Sequence, residues 1–215
     1  MTIAIKICGL SNENSVQAVI KAKADYAGFV HYLKSPRHIS IERAAQLKSL
    51  LPATIKPVMV VVNPGDELLE EIDRVMKPSY LQLHGEETQE RISEIRKKFP
   101  KIGIIKAIPI RTIDDIKIAE KFYDVADFLM FDAKPTNNNM MHGGNGISFD
   151  WNILSKKKIA KPWFLSGGLN AENVAEGIKI SGAEMVDVSS GVERSPGVKD
   201  AGLIENFVKV VRGCN

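Results

Sequence analysis

Eight short apolar runs, each followed by a longer amphipathic stretch, constrain the fold of this chain more than any other feature. The runs are Ile3–Ile7, Ala27–His31, Pro57–Val62, Tyr80–His84, Gly103–Ala107, Phe128–Asp132, Trp163–Ser166 and Met185–Ser189. Most are rich in β-branched or aromatic residues and end at a polar residue or glycine, as parallel strands buried on both faces do. The intervening stretches carry a helical period. Asn12–Ala24 places Val16, Val19 and Ile20 on one face behind a cap at Ser11 or Asn12, and Ser40–Leu51 stops at Pro52. Further helices are predicted over Gly65–Met76, Glu87–Phe99, Thr112–Tyr123, Asn170–Ile180 and Ala201–Arg212, with a shorter one over Asp150–Lys156.

Eight strand–helix units in 215 residues predict an α/β fold, a single (β/α)8 TIM barrel, with residues 1–215 as one domain. A doubly wound open sheet would show fewer units and often a glycine fingerprint after its first strand. Here the glycines cluster late, after the seventh and eighth runs. The longest irregular stretch is Ala133–Ser148, a candidate mobile loop.

Composition narrows the class of partner. Hydrophobic residues make up 44% and charged residues 26%, an ordinary globular balance. No run approaches about 18 apolar residues, and the N-terminus lacks the basic, apolar and small-residue succession of a secretion signal. The expectation is a cytoplasmic protein with no membrane partner. The net charge of +3 is dispersed. Its densest group, Lys156, Lys157 and Lys158 with Lys161, lacks interleaved aromatics, so a small anionic ligand is expected rather than nucleic acid. Two cysteines, Cys8 and Cys214, form no metal-binding pair, so no metal is expected. Spacing alone leaves a disulfide between them open, whereas a cytoplasmic location makes reduced thiols the default. Both a monomer and a homodimer fit the sequence.

In such a barrel the active site lies at the C-terminal strand ends. Those ends read Cys8, His31, Asn63, His84, Lys106, Asp132, Ser166-Gly167 and Ser189-Ser190. Residues two apart on a strand share a face, so Lys6 joins Cys8 inside the barrel, Gln82 joins His84, and Asp187 joins Ser189. Strands one and eight are neighbours in a closed barrel, so Lys6 is expected to pair with Asp187. Gly167 and Gly168 precede a helix with Asn170 as its expected cap. With Ser189, Ser190 and Gly191 they form a candidate phosphate cradle, because glycine backbone lets N–H groups approach an anion closely. Arg37 follows strand two behind a proline. Such an arginine is most often solvated, but at a strand end it can grip a carboxylate through two parallel hydrogen bonds. Taken alone, Cys8 is more often a buried structural cysteine, and Asp132 is equally a loop acceptor.

The motifs Lys6-Ile7-Cys8-Gly9-Leu10, Ser35-Pro36-Arg37-His38-Ile39, Leu81-Gln82-Leu83-His84-Gly85, Phe131-Asp132 and Gly143-Gly144-Asn145-Gly146 occur in that order. Ser166-Gly167-Gly168-Leu169-Asn170, Val186–Glu193 and Pro196–Asp200 follow. Together they resemble the phosphoribosylanthranilate isomerase family over nearly the whole chain. Two positions depart from its usual pattern: Asn145 stands where Thr is usual, and Val58–Val62 replaces a common Gly-Val-Phe. Neither touches the residues to which the resemblance assigns chemistry.

That resemblance implies an Amadori rearrangement in tryptophan biosynthesis, with no metal and no organic cofactor. It makes Asp132 the general acid that opens the furanose ring, Cys8 the general base that removes the C2 proton, and Arg37 the holder of the anthranilate carboxylate. An acid working near pH 7 needs its pKa raised from ~3.9, and a thiolate base needs one at or below ~8.5. The nearest alternative is the ribonucleotide isomerase of histidine biosynthesis, which resembles two fused half-barrels and uses paired aspartates. Cys8 and the lack of half-to-half repetition argue against it. A barrel that merely binds a sugar phosphate is the non-enzymatic alternative, and the presence of both Cys8 and Asp132 argues against that one.

Overall fold

The structure, a computed structural model, describes residues 2–133, 149–155 and 159–214. The 134–148 part of the expected loop, including Asn145, and the Lys156–Lys158 cluster lie outside the described residues. Eight parallel strands close into a barrel in sequence order. They are β1 (Ala4–Cys8), β2 (Tyr26–Val30), β3 (Lys56–Val61), β4 (Tyr80–Leu83), β5 (Gly103–Ile110), β6 (Phe128–Ala133), β7 (Trp163–Leu165) and β8 (Met185–Val188). Between them run helices α1 (Glu13–Ala22), α2 (Ile41–Lys48), α3 (Asp66–Glu71), α4 (Gln89–Lys98), α5 (Ile113–Glu120), α6 (Asn152–Ser155) and α7 (Val174–Ser181), and α8 (Ala201–Arg212) follows β8. The expected (β/α)8 TIM barrel is therefore the fold. No helix among the described residues is long and apolar enough to cross a membrane.

Alternation along the strands sorts side chains into two apolar regions. Ile5, Ile7, Phe29, Met59, Leu81, Phe131 and Val186 point outward against the helices. Val58, Ile105, Ala107, Met130, Phe164 and Met185 fill the barrel interior. At the N-terminal end, Tyr26, Tyr80, Phe128 and Phe164 meet edge to face at centroid distances of 5.3–6.4 Å. Aromatic quadrupoles favour this geometry, and the plug packs the lower half of the barrel. Polar side chains inside the barrel are thereby pushed toward the C-terminal mouth.

Local chemistry explains most element boundaries. Asn12 caps α1 by accepting from the Ser15 amide, and the Ser15 hydroxyl returns a bond to the cap. Ser40, Thr88 and Asp200 cap α2, α4 and α8 in the same way. Two expectations fail. Strand β5 runs on to Ile110, so Lys106 is not at a strand end. Helix α7 starts at Val174 with Asn173 in the cap position, not Asn170. The Asn170 side chain instead accepts from the amides of Glu172 and Asn173, an Asx turn that delays the helix. The segment before α8, to which the sequence assigned no element, also holds regular structure. It forms a hairpin of β9 (Glu193–Ser195) and β10 (Val198–Lys199), turning at Pro196 and Gly197.

Candidate active site

Inward-facing residues at the strand ends meet in one cavity at the C-terminal mouth. Cys8, Arg37, Gln82, His84 and Asp132 line it, with Gly167, Gly168, Ser189 and Ser190 on one side and Val30, Tyr32 and Val60 on another. Every sequence-predicted site residue except Gly191 is thus brought to a single cavity. Gly191 lies just behind: a Cβ there would collide with the Leu169 carbonyl oxygen. Its smallness lets the loops after β7 and β8 pack backbone to backbone. Gly167 and Gly168 adopt φ of 90° and 64°, left-handed values that side-chain-bearing residues seldom reach. Both cysteines are free.

Three other strand-end residues are elsewhere. His31 Nδ1 lies 3.0 Å from the Ile39 carbonyl oxygen, and its ring packs on His38. Asn63 accepts from the Glu86 amide. Lys106 faces outward and donates to Glu87 at 2.7 Å, a buried pair that braces the loop after β4. They fell outside because the barrel admits only alternate residues of each strand, and these have the outward parity.

Beneath Cys8 sits an ion pair the sequence foresaw. Lys6, with no exposed surface, is opposite Asp187 in the β1–β8 register, and its Nζ donates to Asp187 Oδ1 at 2.7 Å. Ser166 Oγ donates to the other carboxylate oxygen at 3.1 Å. Burial disfavours the Lys6 charge, yet Asp187 and then Cys8 outweigh it and hold the ammonium above its ordinary range. For Cys8 the balance goes the other way. Burial pushes the thiol up and Asp187 adds to this, while Lys6 and Lys199 pull it down without fully compensating. Gly28 across the β1–β2 ladder supplies room, since a Cβ there would stand 2.9 Å from Cys8 Sγ and 3.1 Å from Lys6 Nζ.

Asp132 sits on β6, three strands round the ring from β1. Its Oδ2 lies 3.2 Å from His84 Nε2, and its Oδ1 accepts from the Ala133 amide at 3.0 Å. His84 Nδ1 in turn lies 3.0 Å from Gln82 Nε2. A thiol and a carboxyl group thus line one cavity, with the fully buried Lys6 ammonium beneath the thiol.

Arg37 already has a carboxylate partner within the protein. Its Nε and Nη2 donate to Glu193 Oε1 and Oε2 at 2.7 and 2.8 Å, so the two-pronged grip foreseen for a ligand is held by the protein's own carboxylate. Lys199 also donates to Glu193 Oε1 at 2.6 Å and to the Ser189 carbonyl oxygen at 2.8 Å. Burial pushes the Glu193 carboxyl up, but Arg37 and Lys199 more than offset this and hold it below the usual range. Glu193 and Lys199 carried no role in the sequence reading. The Pro-Gly pair between them was the available signal, because a turn there folds the two residues onto each other. Among the described residues, no three His, Cys, Asp or Glu side chains converge as a metal-binding group.

Comparisons with known proteins converge on one family. Residues 5–210 match the family model described as N-(5'-phosphoribosyl)anthranilate isomerase. An enzyme of that name from Parvibaculum lavamentivorans is 44% identical over 99% of both chains. One from Paramagnetospirillum magneticum is 42% identical over 99% of both. Among solved structures, the phosphoribosylanthranilate isomerase of Thermotoga maritima superposes with a TM-score of 0.88 at 34% identity, covering 99% of this chain and 100% of that one. Another isomerase of this name, in complex with reduced 1-(o-carboxyphenylamino)-1-deoxyribulose 5-phosphate, superposes at 0.83 with 32% identity and the same coverage.

Proposed function

This chain belongs to the phosphoribosylanthranilate isomerase family, and from that premise we propose that it rearranges N-(5'-phosphoribosyl)anthranilate to 1-(2-carboxyphenylamino)-1-deoxyribulose 5-phosphate, a step of tryptophan biosynthesis. Residues 1–215 act as one catalytic unit in the cytoplasm, where Cys8 stays reduced. Cys8 is the base and Asp132 the acid. The observation that carries this reading is that both line one cavity, together with the glycine loops and Arg37.

The chemistry follows from the groups present. Asp132 gives a proton to the ring oxygen of the ribose, the C1–O bond breaks, and the anthranilate nitrogen takes up the positive charge as an iminium. Cys8 thiolate then removes the C2 proton, and the electron pair moves to the iminium to give an enolamine. Loss of the C2 hydroxyl proton and gain of one at C1 deliver the ketone. The substrate nitrogen is the electron sink, so the rearrangement needs neither metal nor organic cofactor. The iminium also answers the thiol's raised pKa, because a cation formed beside Cys8 favours the thiolate at the step that needs it.

The phosphate belongs at Gly167, Gly168, Ser189 and Ser190, with Gly191 holding the two loops together. Gln82 and His84 complete the wall beside Asp132. The anthranilate carboxylate shares the Arg37 guanidinium with Glu193, which fixes the arginine in place before substrate arrives. Arg37→Ala is therefore expected to raise KM mainly, since the carboxylate is bound alike in ground and transition states. Unchanged KM and kcat would remove Arg37 from the binding site. Turnover followed by loss of anthranilate-type fluorescence tests the whole reading. No turnover, or turnover of the histidine-pathway ribonucleotide instead, would overturn it.

A further inference from the structure

Gln82 is almost fully buried on β4, and its amide is incompletely satisfied. The Nε2 end lies 3.0 Å from His84 Nδ1 and 3.2 Å from Met130 Sδ, a weak acceptor. The Oε1 end has no hydrogen-bond partner among the described residues. Beyond the imidazole, His84 Nε2 lies 3.2 Å from Asp132 Oδ2. Amide, ring and carboxyl group thus form a line leading to the proposed acid.

A neutral imidazole carries one N–H and one bare nitrogen, and a carboxamide offers donors at one end and an acceptor at the other. The line therefore has two self-consistent settings. In one, the Gln82 N–H donates to bare Nδ1, the ring proton sits on Nε2, and Nε2–H donates to an Asp132 carboxylate. In the other, the amide is turned over and Oε1 accepts from Nδ1–H. Bare Nε2 then accepts from the O–H of an Asp132 carboxylic acid. The settings differ by one proton on Asp132 and by the seat of the ring proton. Turning the amide over only exchanges which of its ends lacks a strong partner, so the amide itself favours neither setting heavily. A fully satisfied amide would have locked the line in one of them.

We infer that Gln82 is a positioning residue for the acid: its amide orientation selects which nitrogen of His84 carries the proton, and so whether Asp132 is held as a proton donor or as a carboxylate. This rests on the reading of Asp132 as the acid. In the donor setting the acid proton points along a bond to Nε2 until the ring oxygen of the substrate takes it. Afterwards a bare Nε2 would face a carboxylate, two acceptors 3.2 Å apart, and the other setting relieves that contact.

The test is the protonation of the His84 ring nitrogens, read by nitrogen-15 NMR on the full chain without ligand, with the His84 signals assigned through His84→Asn. Gln82→Glu presents only acceptors and is expected to place a proton on Nδ1. Gln82→Met presents no donor and no strong acceptor, leaving Asp132 to draw the ring proton to Nε2. The two variants should give distinct nitrogen shifts, with kcat in Gln82→Met lowered by up to about 10²-fold, the low end of a lost acid's effect, and KM little changed. Gln82→Glu, matched in size to the native residue, keeps the test in force if Gln82→Met does not fold. Identical His84 ring protonation in wild type and both variants would overturn the inference. If the nitrogens respond but Asp132→Asn turns over at the wild-type kcat, the acid assignment falls and the Gln82–His84 coupling stands.

Discussion

Cys8→Ala is expected to lower kcat by about 10²–10⁴-fold, the range general-base catalysis contributes, with KM little changed. The split follows from position. Cys8 lines the cavity, whereas on the proposed reading the phosphate and carboxylate ends of the substrate are held by the glycine loops and Arg37. Removing the thiol leaves those grips in place. The pH dependence carries a sign. Burial holds the thiol above its ordinary range, so in the free enzyme only a minor fraction is thiolate near neutrality. The Cys8 thiolate fraction should therefore climb with pH through the neutral range, approaching tenfold per unit while thiolate is scarce. A thiolate fraction that is already high and unchanged across that range would overturn the raised thiol, and wild-type turnover by Cys8→Ala would remove Cys8 as the base. The difference in ultraviolet thiolate absorbance between wild type and Cys8→Ala at several pH values decides the first point, and steady-state kinetics decide the second.

The second large effect is on stability. Lys6→Ala is expected to destabilise the fold by about 3–5 kcal/mol, because it strands the Asp187 carboxylate inside the barrel. The pair is 2.7 Å apart, and Lys6 has no exposed surface. At roughly 2–4 °C per kcal/mol for a chain of this size, the melting temperature falls by roughly 6–20 °C. Replacing both members, Lys6→Met with Asp187→Leu, should recover much of the loss, since two apolar groups leave no charge unpaired. A thermal melt of Lys6→Ala indistinguishable from wild type would show that water or rearrangement neutralises Asp187. The same substitution acts on the chemistry. Lys6 is the strongest influence drawing the Cys8 thiol down, so its loss should move the rise of the thiolate fraction to higher pH. The buried pair is thus both a barrel-closing contact and part of the base's environment, a double duty that an apolar pair could not fill.

How far the site was legible follows from the kind of physics each residue obeys. Lys6 and Asp187 could be paired on paper because strand parity and barrel closure are simple counting rules, and two buried charges require each other. His31, Asn63 and Lys106 stand near strand ends but present the outward face, which proximity to a strand end does not specify. Extension of β5 to Ile110 moved Lys106 further from the mouth. Asn170 was misread because an Asx turn and a helix cap use the same side-chain oxygen on nearby amides, and only the backbone path distinguishes them.

Periodicity alone determined the eight parallel strands, their order and the end of the barrel where polar residues gather, because alternation in apolar character is a local property of the chain. The ordered motifs added the family, and with it the expected roles of Cys8 and Asp132. What only the tertiary structure decided is how those groups are partnered. Glu193 occupies the Arg37 fork, Lys199 ties Glu193 to the Ser189 carbonyl oxygen, and Gln82 reaches Asp132 through His84. The Arg37–Glu193 and His84–Asp132 contacts join residues from different strands and loops, at a separation of 156 positions for the first. Hydrogen-bond direction and burial depend on distances between such segments, which exist only once the barrel has closed.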